Sequence, residues 1–285
     1  MMDFPEYAYR AFSSASNRGV IKTPACTGPV MYRDPTEVTR DLDLFSRAIP
    51  AGHADRFVTA ASPGVISLFL ANKYYKSHEE YLFALAEAMK VEYDAIHARG
   101  FVLQVDCPDL AMGRHVQFAA ASLEEFRRNA QLHVEAMSHA LRDIPSERMR
   151  MHVCWGNYEG PHHRDVPLRD IVDIVLGARP SAIVFEAANP RHAHEWTVWE
   201  EVRVPEEKIL VPGLIDSTTN FIEHPELVAD RLRPFLKRFG HQRVMAGTDC
   251  GFSNFAGFTL VDPKIAWEKL RALAQGTRIA ERRAS

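Results

Sequence analysis

The stretch Met149–Trp155, MRMHVCW, is apolar enough to be a buried strand, yet it carries a histidine and a cysteine two positions apart. Side chains at i and i+2 on a strand share a face, so His152 and Cys154 can meet one ion. Similar runs lie on either side: Ile21–Val30, Phe57–Ile66, Phe101–Asp106, Ala182–Ala187, Ile209–Asp216 and Val244–Asp249. Most are almost continuously apolar, the signature of strands covered on both faces of a parallel sheet. The segments between them read as helices. Ser77 with Glu80 and Ser122 with Glu125 are capping pairs, Gly100 closes the helix that Ser77 opens, and Pro167 and Pro225 suit first turns. Pro234 falls inside a helical pattern and is expected to kink or divide it. A C-terminal helix is expected from Asp262-Pro263 through Leu273.

Strand–helix alternation means βαβ units, hence an α/β fold with a parallel sheet. No G-x-G-x-x-G or G-x-x-x-x-G-K-[ST] follows a strand, so the usual dinucleotide and P-loop signatures are absent. Polar residues gather instead at strand ends: Asp106, His152, Cys154, Glu186, Asp216, Asp249 and Cys250. Active sites of (β/α)₈ TIM barrels are built there, from several strands at once. The barrel is therefore the expected architecture, as one domain over residues 1–285. Seven strands are legible where such a barrel has eight, so we expect the ring to be open or the first strand to be missing.

Composition narrows the function. With 46% hydrophobic and 25% charged residues, the 285-residue chain is neither disordered nor fibrous. A net charge of −3 speaks against nucleic acid or an anionic membrane surface as partner. No apolar run is long enough to span a bilayer, and Met1–Arg10 lacks a signal-peptide pattern, so a cytoplasmic protein is expected. Four cysteines are too few for a disulfide scaffold. Cys26 and Cys107 read as packed thiols, and His133 and His139 as ordinary helix residues. Imidazole, thiolate and carboxylate at His152, Cys154, Glu186 and Cys250 suit a roughly tetrahedral Zn²⁺.

The segments MHVCWGNYEG (Met151–Gly160), IVFEAAN (Ile183–Asn189) and GTDCGF (Gly247–Phe252) resemble the C-terminal catalytic domain of the cobalamin-independent methionine synthase superfamily, which includes the epoxyalkane:coenzyme M transferases. The resemblance runs from Thr23 to about Leu273. It implies a catalytic zinc on His152, Cys154, Glu186 and Cys250. It also implies a zinc-dependent thiol S-alkyltransferase acting on a small-molecule thiol and an alkyl donor: methyl transfer from 5-methyltetrahydrofolate polyglutamate to homocysteine, or thiol opening of an epoxide. Family members begin with a strand carrying an H-x-G-S-like segment, which has no counterpart here, so the chain reads as N-terminally shortened. In Val105-Asp106-Cys107-Pro108, Asp106 keeps the position that binds the homocysteine amine, while Cys107 replaces a glutamate.

Further roles follow as expectations. Asp249 would act beside a metal ligand, and His162 or His163 would supply a proton to a leaving amine or alkoxide. Asp216, Trp155 and Asn189 would contact substrate. Two other readings stay open. One is a metal-free decarboxylase like the uroporphyrinogen decarboxylases of the wider barrel superfamily, against which the complete ligand set argues. The other is an inactive open barrel, whose bare strand edge would favour aggregation or a homo-oligomer.

Overall fold

Two apolar layers decide the architecture: strands buried on both faces, and helices with one buried stripe. The computed structural model describes residues 3–7, 9, 24–49, 56–253 and 260–284. In chain order its strands are β1 (Ala25–Cys26), β2 (Phe57–Ala61), β3 (Ala71–Asn72), β4 (Val102–Asp106), β5 (Met149–Val153), β6 (Ala182–Phe185) and β7 (Ile209–Pro212). Its α-helices are α1 (Thr36–Ala48), α2 (Pro63–Phe69), α3 (His78–Ala98), α4 (Leu123–Ala140), α5 (Val172–Gly177), α6 (Val198–Glu201), α7 (Pro225–Phe239) and α8 (Pro263–Ala284).

Five strands form one parallel sheet in the order β2-β4-β5-β6-β7. Parallel bridges Leu210↔Val244 and Gly213↔Gly247 add residues 244–247 as a sixth wall segment beside β7. The order never reverses, so the sheet has no switch point of the doubly wound kind; it follows the sequential order of a barrel wall. Among the described residues no ladder pairs 244–247 with β2, and the ring is not closed. The expected first strand, Ile21–Val30, is corrected. Residues 21–23 lie outside the described residues, and Ala25–Cys26 pairs with Ala71–Asn72 away from the main sheet. Val244–Asp249 is likewise no regular strand.

The core lies between wall and helices. Helix α3 buries Tyr81, Leu82, Leu85, Ala86, Tyr93 and Ile96. Both predicted N-caps accept from the residue three positions on: Ser77 from Glu80 N–H and Ser122 from Glu125 N–H. Only Ser122–Glu125 is a full capping box, because the Glu80 carboxylate turns instead to the backbone N–H of Lys76. The Phe57–Ile66 run breaks at Ser62-Pro63, where Ser62 caps α2 and the proline takes its first turn. Pro167 precedes a 3₁₀ turn rather than α5 itself, and Pro234 does not divide α7. Cys26 and Cys107 are buried and free. His133 is buried on Asp109, while His139 sits at the surface beside Glu87. No helix among the described residues is long and apolar enough to cross a membrane.

Candidate metal centre

Parallel strands deliver their carboxyl ends to one side of the sheet. His152 is the fourth residue of β5 and Cys154 follows it immediately. Glu186 follows β6, and Cys250 lies just beyond the 244–247 segment beside β7. The His152, Cys154 and Cys250 donor atoms lie within 4.8 Å of one another, all buried. The two sulfurs are 3.3 Å apart and not bonded. Glu186 stands at the edge of this cluster, its Oε1 4.0 Å from Cys250 Sγ.

The surroundings fix these groups. Gly156 N–H points at Cys154 Sγ, 3.3 Å away. The backbone N–H of Cys250 donates to Ser217 Oγ, Ser217 donates to Asn157 Oδ1, and Asn157 Nδ2 donates to Gly251 O. That brace ties the loop after β5 to the loop holding Cys250. Glu186 is 2% exposed yet fully satisfied. Its Oε1 accepts from Trp155 N–H at 2.8 Å, and its Oε2 accepts from Asn189 Nδ2 and Arg191 Nη2, each at 2.7 Å.

Asp249 is a clamp. Its Oδ1 accepts from the N–H groups of Ala187 and Ala188, and its Oδ2 from the N–H and Nδ2 of Asn189. A Cβ on Gly213 would lie 2.1 Å from Asp249 Oδ1, so only glycine lets β7 approach this closely.

The cluster's electrostatics suit a cation. Burial works against a charged His152, but the Asp106 contact and the nearby Cys154 and Glu186 charges outweigh it, raising the imidazole to about 9. The hydrogen bond with Cys154, then burial, pushes the Cys250 thiol well up. Burial, then Glu186, raises Asp249 against the pull of its N–H donors. Two close, buried thiols beside an imidazole, with a carboxylate at the margin, form the donor set Zn²⁺ prefers. The residues present therefore fit the ion.

The cluster opens into a cavity of about 610 Å³. Alternate residues of the wall line it: Phe57 and Thr59, Gln104 and Asp106, Arg150 and His152. Register places Gln104 opposite Arg150 and Asp106 opposite His152. Asp106 Oδ1 lies 3.4 Å from His152 Nδ1 and accepts from Gln104 Nε2 at 2.7 Å.

Of the other expected site residues, only Asp106 and Asp249 line this cavity. Asn189 is buried, joining Glu186 to Asp249. Trp155 is fully buried, stacked on His192 and donating to Val166 O. Asp216 Oδ1 accepts from the N–H and Oγ1 of Thr218, within its own loop. His162 is buried between Asp165 Oδ2 and Tyr158 O, and His163 pairs with Asp3 at the surface. Neither histidine is among the residues that line the cavity. Sequence reading missed Arg150 and Gln104, although the period of two that links His152 to Cys154 reaches Arg150 as well.

No family model matches the chain. It is 23% identical over 265 residues to a methionine synthase of Saccharolobus solfataricus, covering 90% of this chain and 67% of that one. A methionine synthase of Thermococcus kodakarensis is 27% identical over 226 residues, covering 79% of this chain and 57% of the relative. Among solved structures, the B12-independent methionine synthase from Shewanella sp. W3-18-1, in complex with selenomethionine, superposes with a TM-score of 0.65 at 20% identity. That match covers 90% of this chain and 70% of the other. The chain is thus distantly similar in sequence to methionine synthases over most of its length, and it shares the fold of a B12-independent one.

Proposed function

We propose that the chain is a zinc-dependent thiol S-alkyltransferase that moves the methyl group of 5-methyltetrahydrofolate polyglutamate, or a similar donor, to homocysteine. The observation that carries this reading is the buried His152–Cys154–Cys250 cluster at the head of an open cavity. These three residues would hold the metal, with Glu186 as the neighbouring carboxylate that an arriving sulfur displaces. Bound there, zinc would keep the substrate thiol ionised at neutral pH, where a free thiol with a pKa of about 8.5 is mostly protonated.

The chain's own residues supply position. Ser217 and Asn157 fix Cys250 relative to Cys154. Arg191 and Asn189 aim Glu186, and Asp249 holds the 187–189 turn that carries Asn189. Asp106, one strand over and in register with His152, would take the substrate ammonium. In the reaction the thiol sulfur forms a bond to the methyl carbon, the bond from that carbon to the donor nitrogen breaks, and the nitrogen keeps the electron pair and takes a proton. With His162 and His163 outside the cavity lining, that proton comes from solvent in the open cavity.

The test is product formation by zinc-loaded protein given homocysteine and the folate donor. Methionine appearing with wild type and not with Cys250→Ala supports the reading. Thiol addition to an epoxide without methyl transfer would replace it with the epoxide-opening reaction. Turnover by neither route would overturn it.

A further inference from the structure

Buried charges near the candidate centre come paired. Glu186 meets Arg191, Asp249 meets four N–H groups, and Lys269 meets Glu223. Arg150 is the exception. Among the described residues its side chain, partly buried, makes no hydrogen bond or ion pair, and its Nε is buried without a partner. Its guanidinium stacks on the Phe57 ring, 4.1 Å from the guanidinium carbon to the ring centroid, and feels the charge of Asp106. Directly opposite in register is Gln104, whose Oε1 is also buried and unpartnered and whose Nε2 is committed to Asp106. A guanidinium nitrogen buried without an acceptor is costly, so an acid group that reached this part of the cavity would meet a donor there.

We infer that Arg150 recognises the anionic group, carboxylate or sulfonate, at the far end of a small thiol substrate whose sulfur lies at His152, Cys154 and Cys250. The inference rests on the thiol reading of that cluster. Arg150, His152 and Cys154 stand on one face of β5, and each two-residue step spans about 6.6 Å. A thiol and an acid group separated by two or three carbons cover about one such step. A guanidinium offers two parallel N–H groups to a planar acid, a match an ammonium lacks. Phe57 stacks on the guanidinium and fixes its plane. Asp106 lies between the two ends, where an ammonium on the same substrate would meet it.

The test is calorimetric titration of 3-mercaptopropionate, 2-mercaptoethanesulfonate and 2-mercaptoethanol into wild type, Arg150→Gln and Arg150→Lys, each zinc-loaded and matched in fold by circular dichroism. Wild type should bind both acid thiols at least ~10-fold tighter than the neutral one, the value of one charge-assisted hydrogen-bonded pair. Arg150→Gln should bind all three alike, and Arg150→Lys should fall between. An unchanged preference in a folded Arg150→Gln, or no preference in wild type, overturns the inference. A residue that merely packs on Phe57 would lower stability in the variants and leave the preference intact. If Arg150→Gln does not fold, the wild-type preference and its reduction in Arg150→Lys decide. Propionate and metal-free protein separate the two proposals. Propionate binding wild type and not Arg150→Gln, while no thiol binds the zinc form, would sink the thiol reading and uphold anion recognition by Arg150.

Discussion

Replacing Arg191 with methionine removes the cation from a carboxylate that is 2% exposed. Breaking a buried ion pair from one side costs about 3–5 kcal/mol, because the remaining charge is stranded. Here Glu186 keeps two donors, Trp155 N–H at 2.8 Å and Asn189 Nδ2 at 2.7 Å. Arg191 is itself 18% exposed, so water can partly replace it. Both facts place the loss at the low end, about 3 kcal/mol. For a chain of this size that lowers Tm by roughly 5 °C. Urea unfolding of metal-free protein measures it. Glu186→Gln in the Arg191→Met background should recover about half or more of the loss, since a neutral amide no longer needs the guanidinium. Zinc should also recover stability in Arg191→Met, by placing a cation beside the stranded carboxylate. An Arg191→Met midpoint equal to wild type, or no rescue by Glu186→Gln, would refute the assignment of Glu186 as a buried charge held by Arg191.

Gly213→Ala should cost about 2–3 kcal/mol and weaken metal binding, because the new methyl overlaps Asp249 and must push the residue next to Cys250. Gly177→Ala, at a position with open space around the would-be Cβ, is the control expected to change little in an unfolding titration. The buried hub of Asp165 with His115, His162 and His192 predicts a pH dependence. Burial opposes a charged His192, yet its bonds to Asp165 and Glu195 raise it to about 9. A histidine raised in the folded state stabilises fully below its ordinary value near 6.5, and that contribution is lost as pH rises through about 9. The loss is at most ~3 kcal/mol for this group. His152 titrates in the same window in metal-free protein. His192→Gln should therefore remove about half of the decline between pH 6.5 and 9 seen in urea midpoints; an unchanged slope would refute the assignment.

The sequence showed the sheet and the heart of the site because both depend on short-range pattern. Continuous apolar runs located β4 to β7. The two-residue period put His152 and Cys154 on one face, and strand-end placement brought in Glu186 and Cys250. Long-range partners were not legible. Nothing near Asp249 announces that it clamps residues 60 positions earlier, or that Asn189 faces inward between two carboxylates. His162 reads like any loop histidine until Asp165 and Tyr158 enclose it. Val244–Asp249 has the composition of a strand, but it bonds to β7 at only two isolated bridges.

Everything proposed for the site depends on His152, Cys154 and Cys250 holding zinc. Zinc content per chain, measured by elemental analysis after dialysis in metal-free buffer with limiting zinc, tests it most directly. Wild type should hold about one zinc per chain, and His152→Ala, Cys154→Ala and Cys250→Ala, each still folded, should lose it. Folded wild type that retains no zinc, or a Cys154→Ala/Cys250→Ala double variant that retains it, would rule out a metal centre on these residues.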